Sequence, residues 1–218
     1  RDLPWSDLSY AQWSEQGKEQ LQSLSRRQLA ETWLQAGNHW GATQPFAAVV
    51  DEVKQVSALY TQYLHACRQQ LGLQSIQPGR FVLPGEFAGA PLLQFVPWVW
   101  EQPAESPASE SLYGLLQSRF EAYKEHVVKP FYRDHFSSFD RQIVLVDCLQ
   151  PLKTSRDAIY DLRDTLGQLL QSFQYGNSHW WQRLFSPRID KLLFVASKAD
   201  HVTPEQHPAL LSLLRELV

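Results

Sequence analysis

The chain has 218 residues, a formal net charge of -3, 44% hydrophobic and 20% charged residues, so it can bury a substantial core and carries no disorder signature. A pI of 6.2 leaves no excess of basic charge to neutralise phosphates, which disfavours nucleic acid as a general partner. The two cysteines, Cys67 and Cys148, lie far apart with no CxxC pair, which argues against a disulfide framework or a zinc site and suits a reducing, cytoplasmic setting.

The first stretch reads as helical, with Trp13, Leu21, Leu24, Leu29 and Trp33 at loosely helical spacing and Gly37 closing it. A second helix is clearer. Phe46, Val49, Val50, Val53, Val56, Tyr60, Tyr63, Leu64, Cys67 and Leu71 follow the i, i+3, i+4 rule between Pro45 and Gly72. Residues 73 to 109 are broken by prolines and glycines, with short extended pieces expected at Arg80–Leu83 and Leu92–Trp98 and a surface loop over Gln102–Ser109. A third helix carries Leu112, Leu115, Leu116, Phe120, Tyr123, Val127, Phe131 and Phe136, and Pro130 should kink or break it.

The pattern then changes. Gln142–Val146 is a β-branched, apolar run of the kind found in strands buried on both faces of a parallel sheet, and Asp147 ends it. A helix follows through Ile159, Leu162, Leu166, Leu169, Leu170 and Phe173. After the aromatic segment His179-Trp180-Trp181 comes a second such strand, Lys191–Ala196. It runs into Ser197-Lys198-Ala199-Asp200, and the next helix opens on Thr203-Pro204-Glu205-Gln206, a capping box with proline in the first turn. The expected organisation is a mainly helical layer over residues 1–140 and a βαβα unit of a parallel sheet over 141–218. No apolar run nears the ~20 residues of a bilayer span, and no signal peptide opens the chain. Methionine is absent and Leu217-Val218 falls inside a helical pattern, so the chain reads as a segment of a longer protein.

Open parallel sheets bind ligands beyond the carboxyl ends of their strands. A buried strand followed by polar-Lys-x-Asp suits guanine. The base offers two adjacent N–H donors, one on the ring and one on the exocyclic amine, and one carboxylate can accept both. Adenine lacks that pair and would leave the carboxylate unsatisfied. The lysine stem can lie along the base plane. The alternative is a solvated turn with Asp200 near a helix start.

The stretches SFDRQIVLVDCLQPL (residues 138–152), QPGRFVLPGEFAGAPLLQF (77–95), LLQSFQYG (169–176) and RLFSPRIDKLLFVASKADHVTPEQH (183–207) resemble the YcjX-like family of bacterial P-loop NTPases, and the similarity runs through nearly the whole chain. The resemblance implies a partial Ras-like P-loop NTPase sheet with a large, mainly helical insertion. It implies binding of GTP or GDP with Mg²⁺, and an association with envelope or phage-shock stress, hence an unknown protein partner among envelope-stress components. The family's base-recognition motif falls on Ser197, Lys198 and Asp200. Ser197 stands where the usual pattern has Asn or Thr. Its hydroxyl can tether neighbouring loops but cannot replace both functions of an amide, which bears on affinity more than on base choice. No GxxxxGK[ST] occurs in the chain. The resemblance places that loop upstream, a switch-type Asp-x-x-Gly element just before Arg1, and the magnesium ligands with them, so no residue here is assigned to hydrolysis.

Asp147 closes a hydrophobic strand as a Walker B aspartate does, but the resemblance puts this strand one step after the magnesium-associated one, leaving a polar strand end that supports a neighbouring loop. Leu83-Pro84-Gly85-Glu86 lacks the leading aspartate of a switch and reads as a structured turn. None of the seven histidines pair at helical zinc spacing. Cys148 has no protease signature around it, and Trp98, Trp100, Trp180 and Trp181 suit core packing better than an exposed aromatic surface. Two functional alternatives stay open. One is a helical interaction or scaffold module with a degenerate nucleotide site, and the other is an ATP-directed enzyme.

Overall fold

The computed structural model describes residues 8–101, 108–131, 133–134, 141–174 and 191–218, with backbone alone for 171–174. The aromatic segment 179–181, Phe136, most of the loop over 102–109 and part of three of the family-like stretches lie outside the described residues. What is described is mostly helical, with one small parallel sheet.

Helix α1 (Tyr10–Gln20) starts at a reciprocal cap: Ser9 Oγ accepts the Gln12 N–H at 3.2 Å, and Gln12 Oε1 accepts the Ser9 N–H at 2.8 Å. The chain turns at residues 21–23 before α2 (Leu24–Ala36), so the loosely helical first stretch is two helices. Leu24, counted in its apolar stripe, is 79% exposed because it opens the second helix on the solvent side of that turn. Helix α3 (Val50–Gln70) buries Val53, Val56, Tyr60, Tyr63, Leu64 and Cys67 along one face. It begins later than its stripe suggested, since residues 46–48 form a 3₁₀ turn behind Pro45. Gly72 ends it with φ +68, in the left-handed region that glycine enters without strain.

The two expected extended pieces are not strands. Gly79–Val82 is a single helical turn, α4, and Pro91–Leu93 is a 3₁₀ turn. The irregular segment after it needs no sheet partner because side chains take up its backbone groups. Tyr10 Oη donates to Val96 O at 2.7 Å, Ser14 Oγ accepts the Trp98 N–H at 2.9 Å, and Arg119 Nη1 donates to Gln94 O at 2.8 Å. Leu83–Glu86 lies in a turn, with Gly85 at φ +54.

Helix α5 (Leu112–Tyr123) continues through a π-helical turn at Lys124–Val128 into α6 (Lys129–Phe131). The helix does not stop before Pro130. Instead the wider turn just ahead of it, with the Lys129 N–H reaching back five residues to Lys124 O, accommodates a residue that cannot donate its own N–H.

The packing of these helices is aromatic. Trp13 stacks on Phe120 with centroids 5.1 Å apart, Trp33 stacks on Tyr63 at 5.5 Å, and Phe95 meets Phe81 edge-on at 4.9 Å. Trp98 is buried in the same cluster, which runs from Tyr10 to Val128.

A second, smaller cluster forms around the sheet. Strands β1 (Arg141–Val146) and β2 (Lys191–Ala196) pair in parallel, from Arg141 opposite Lys191 to Val146 opposite Ala196. Between them come α7 (Leu149–Thr154) and α8 (Arg156–Gln174), and α9 (His207–Leu217) follows β2. Val144, Val146, Phe194 and Ala196 face Leu162 and Leu166 of α8 and Leu210 and Leu214 of α9. The opposite face differs from the expectation of strands buried on both sides: Ile143, Leu145 and Leu193 are 64%, 70% and 56% exposed, because both packed helices lie on one side.

Candidate functional site

Both strands end at the same level, so the register alone sets two polar groups side by side. Val146 pairs with Ala196, and the ladder runs one bond further, with the Ser197 N–H donating to Val146 O at 2.8 Å. Asp147 therefore stands beside Ser197 and Lys198 at the carboxyl edge of the sheet.

The turn after β2 is tight. Lys198 adopts φ 59, ψ 30, a left-handed conformation uncommon for a residue with a side chain. That reversal lets the chain enter a 3₁₀ turn at Ala199–His201, closed by the His201 N–H on Lys198 O at 3.0 Å. The capping box read from the sequence closes the next turn: Thr203 N–H donates to Gln206 Oε1 at 3.1 Å, and the Thr203 side chain accepts in return. His207, at the start of α9, donates from Nε2 to Ala199 O at 3.1 Å, tying the turn to the helix behind it.

Asp200 projects from this turn with its side chain 83% exposed, and its Oδ2 is 3.7 Å from His201 Nε2. Lys198 reaches across to the tip of the neighbouring strand. Its Nζ lies 2.5 Å from Asp147 Oδ2. The other oxygen of Asp147 accepts the N–H groups of Leu149 and Gln150 at 3.2 and 3.1 Å, capping α7. Burial pushes the Asp147 carboxyl up. The Lys198 ammonium and the N–H groups of Gln150 and Leu149 outweigh it and hold the group below its ordinary value.

Of the three residues read from the sequence, Ser197 sits on the ladder, Lys198 spans the two strand tips and Asp200 reaches solvent. Asp147, read from the sequence as a polar strand end that supports a neighbouring loop, is the partner of Lys198. A signal for it existed: two apolar runs, each followed directly by a charged or hydroxylated residue, set their tips together once paired in parallel with their ends in register. An ammonium at 2.5 Å also disfavours a metal ion on the same oxygen. Among the described residues no three His, Cys, Asp or Glu side chains gather closely enough to hold a metal ion. Cys148 is buried, and burial together with the Asp147 charge pushes its thiol up, away from the thiolate a nucleophile needs. No helix among the described residues is long and apolar enough to cross a membrane.

The chain is similar to two curated proteins, each named Ras-like GTPase YcjX. That of Escherichia coli (strain K12) is 47% identical over 222 residues, covering 100% of this chain and 47% of the relative. That of Shewanella oneidensis (strain ATCC 700550 / JCM 31522 / CIP 106686 / LMG 19005 / NCIMB 14063 / MR-1) is 40% identical over 228 residues, covering 100% of this chain and 45% of the relative. The chain thus spans about half the length of the relatives it matches. The model of the YcjX-like family, DUF463, matches residues 1–218, and the chain belongs to that family.

Proposed function

We propose that this chain is part of a guanine-nucleotide-binding regulator of the GTPase type, and that it carries the base-reading corner of the site. Asp200 accepts the ring and exocyclic N–H groups of guanine, the Lys198 stem lies along the purine plane, and Ser197 tethers the neighbouring loops. The observation that carries this reading is the placement of an exposed carboxylate one turn beyond the carboxyl end of a parallel strand. The names of the two relatives, each a Ras-like GTPase, support it.

Asp200 would supply the acceptor for the base, and among the described residues no three His, Cys, Asp or Glu side chains gather for a metal ion. Phosphate binding, Mg²⁺ ligation and hydrolysis are proposed to lie with residues outside this chain, on a Ras-like P-loop sheet of which β1 and β2 are a part. When bound, the nucleotide supplies the phosphates and the metal supplies their neutralisation. The residues here bind and orient the base. Residues 1–140 act as a helical accessory layer that transmits nucleotide state to a protein partner in a stress response, and residues 141–218 as the nucleotide-binding part, in the cytoplasm.

Calorimetry on the full-length protein tests the reading. GDP binds, ATP does not compete, and Asp200→Ala abolishes GDP binding. Unchanged GDP affinity in that variant overturns the assignment and favours a helical interaction module.

A further inference from the structure

Asp147 uses its two oxygens for two different tasks. Oδ1 accepts the N–H groups of Leu149 and Gln150 and so belongs to the start of α7. Oδ2 is turned toward the neighbouring strand tip and meets Lys198 Nζ at 2.5 Å. A residue needed just to cap a helix has no use for the second contact. Lys198 in turn leaves β2 in a left-handed conformation uncommon for a residue with a side chain, and its side chain then crosses from the tip of β2 to the tip of β1.

We infer that Asp147 is a positioning residue for base binding: it anchors the Lys198 ammonium so that the aliphatic stem is held as a flat apolar ledge along the sheet edge. This rests on the guanine reading of Ser197, Lys198 and Asp200. A free lysine side chain loses rotamer entropy when it is ordered. An anchor already in place removes part of that cost from the binding step, which is the general benefit of preorganisation. The anchor is rigid in its own right because its other oxygen is fixed by two backbone donors. Side-chain exposures of 49% for Lys198 and 24% for Asp147 mean that solvent screens the pair, so the effect is moderate.

The chemistry separates Asp147 from Asp200. Asp200 distinguishes guanine from hypoxanthine, which lacks the exocyclic amine. A ledge under the ring serves both bases equally.

The test uses the full-length protein with GDP and inosine diphosphate. Asp147→Asn keeps the oxygen that caps α7 and replaces the oxygen facing Lys198 with an amide NH₂, which cannot hold an ammonium. It weakens both nucleotides by the same factor, about tenfold, while the thermal midpoint of the nucleotide-free protein falls only by the small amount that losing a solvent-screened ion pair costs. In a Lys198→Ala background the same change has no further effect, a non-additivity that a purely structural role does not produce. Wild-type affinity in Asp147→Asn, or a full loss on top of Lys198→Ala, overturns the inference. If Asp200→Ala abolishes GDP binding while Asp147→Asn is silent, the positioning role alone fails. If the wild-type protein binds no GDP, both readings fall.

Discussion

The Asp161 carboxylate of α8 accepts the backbone N–H of Gln74 at 2.6 Å, joining residues 87 positions apart. The same oxygen accepts the Ser75 N–H at 3.1 Å, the Ser75 hydroxyl donates to the other oxygen, and Arg26 Nη2 lies 3.8 Å away. The loop after α3 is thereby tied to the helix that packs on the sheet. Thr154 adds a contact at the same junction, close enough that a Cβ on Gly72 would sit 2.8 Å from its Cγ2.

Removing Asp161 leaves the backbone N–H groups of Gln74 and Ser75 without their acceptor and takes the neighbouring countercharge from Arg26. With its side chain 9% exposed, water cannot replace it freely. Asp161→Ala is expected to cost about 3 kcal/mol in urea denaturation. Asp161→Asn keeps one acceptor oxygen and should lose roughly half as much on the same basis. A loss below about 0.5 kcal/mol for the alanine variant, the range of ordinary surface changes, contradicts the role given to this junction.

Gly37 ends α2 directly beneath Trp100. A Cβ there would lie 2.1 Å from Cζ2 and 2.6 Å from Cη2 of that ring. The ring is held by neighbours: Trp40 and Trp98 meet it edge-on with centroids 5.3 and 5.5 Å away, and its Nε1 donates to Leu34 O at 3.2 Å. Gly37→Ala must displace the indole, at about 1–3 kcal/mol. Denaturation and near-ultraviolet circular dichroism of the tryptophan bands check this together, and unchanged spectra contradict it.

The sequence was legible where one local force dominated. Gln142–Val146 and Lys191–Ala196 are strands because β-branched and large apolar side chains run without interruption, and the Thr203–Gln206 box is visible as four letters. The stripe of α3 is equally plain. The segments around Arg80–Leu83 and Leu92–Trp98 were not, because their conformation depends on distant partners: Tyr10, Ser14 and Arg119 satisfy a backbone that would otherwise want a strand neighbour. Helix α7 was missed for a related reason. Asp147 reads as a strand end, and its capping of Leu149 and Gln150 shows once the turn is built. At the candidate site the position of Ser197–Asp200 at the tip of β2 followed from the pattern, whereas the meeting of Lys198 with Asp147 required the parallel register.

That meeting has a pH signature. The folded-state value of Asp147 lies below its usual 3.8, so the stability it contributes is complete above that value and is lost as pH falls through the lower folded one. Carboxyl NMR should show Asp147 titrating below the ordinary aspartate range. Lys198→Met removes the ammonium while burial continues to push the group up, so the midpoint must rise. A midpoint unmoved by that change means the two side chains do not interact in solution.

The most direct measurement concerns the edge that Asp200 is proposed to read. Xanthine carries a carbonyl oxygen where guanine has its exocyclic amine, so an amide in place of the carboxylate can accept the ring N–H and donate to that oxygen. In competition binding on the full-length protein, Asp200→Asn is predicted to weaken GDP about a hundredfold and to favour xanthosine diphosphate over GDP. A variant that keeps wild-type affinity for GDP and gains nothing for xanthosine diphosphate contradicts the account.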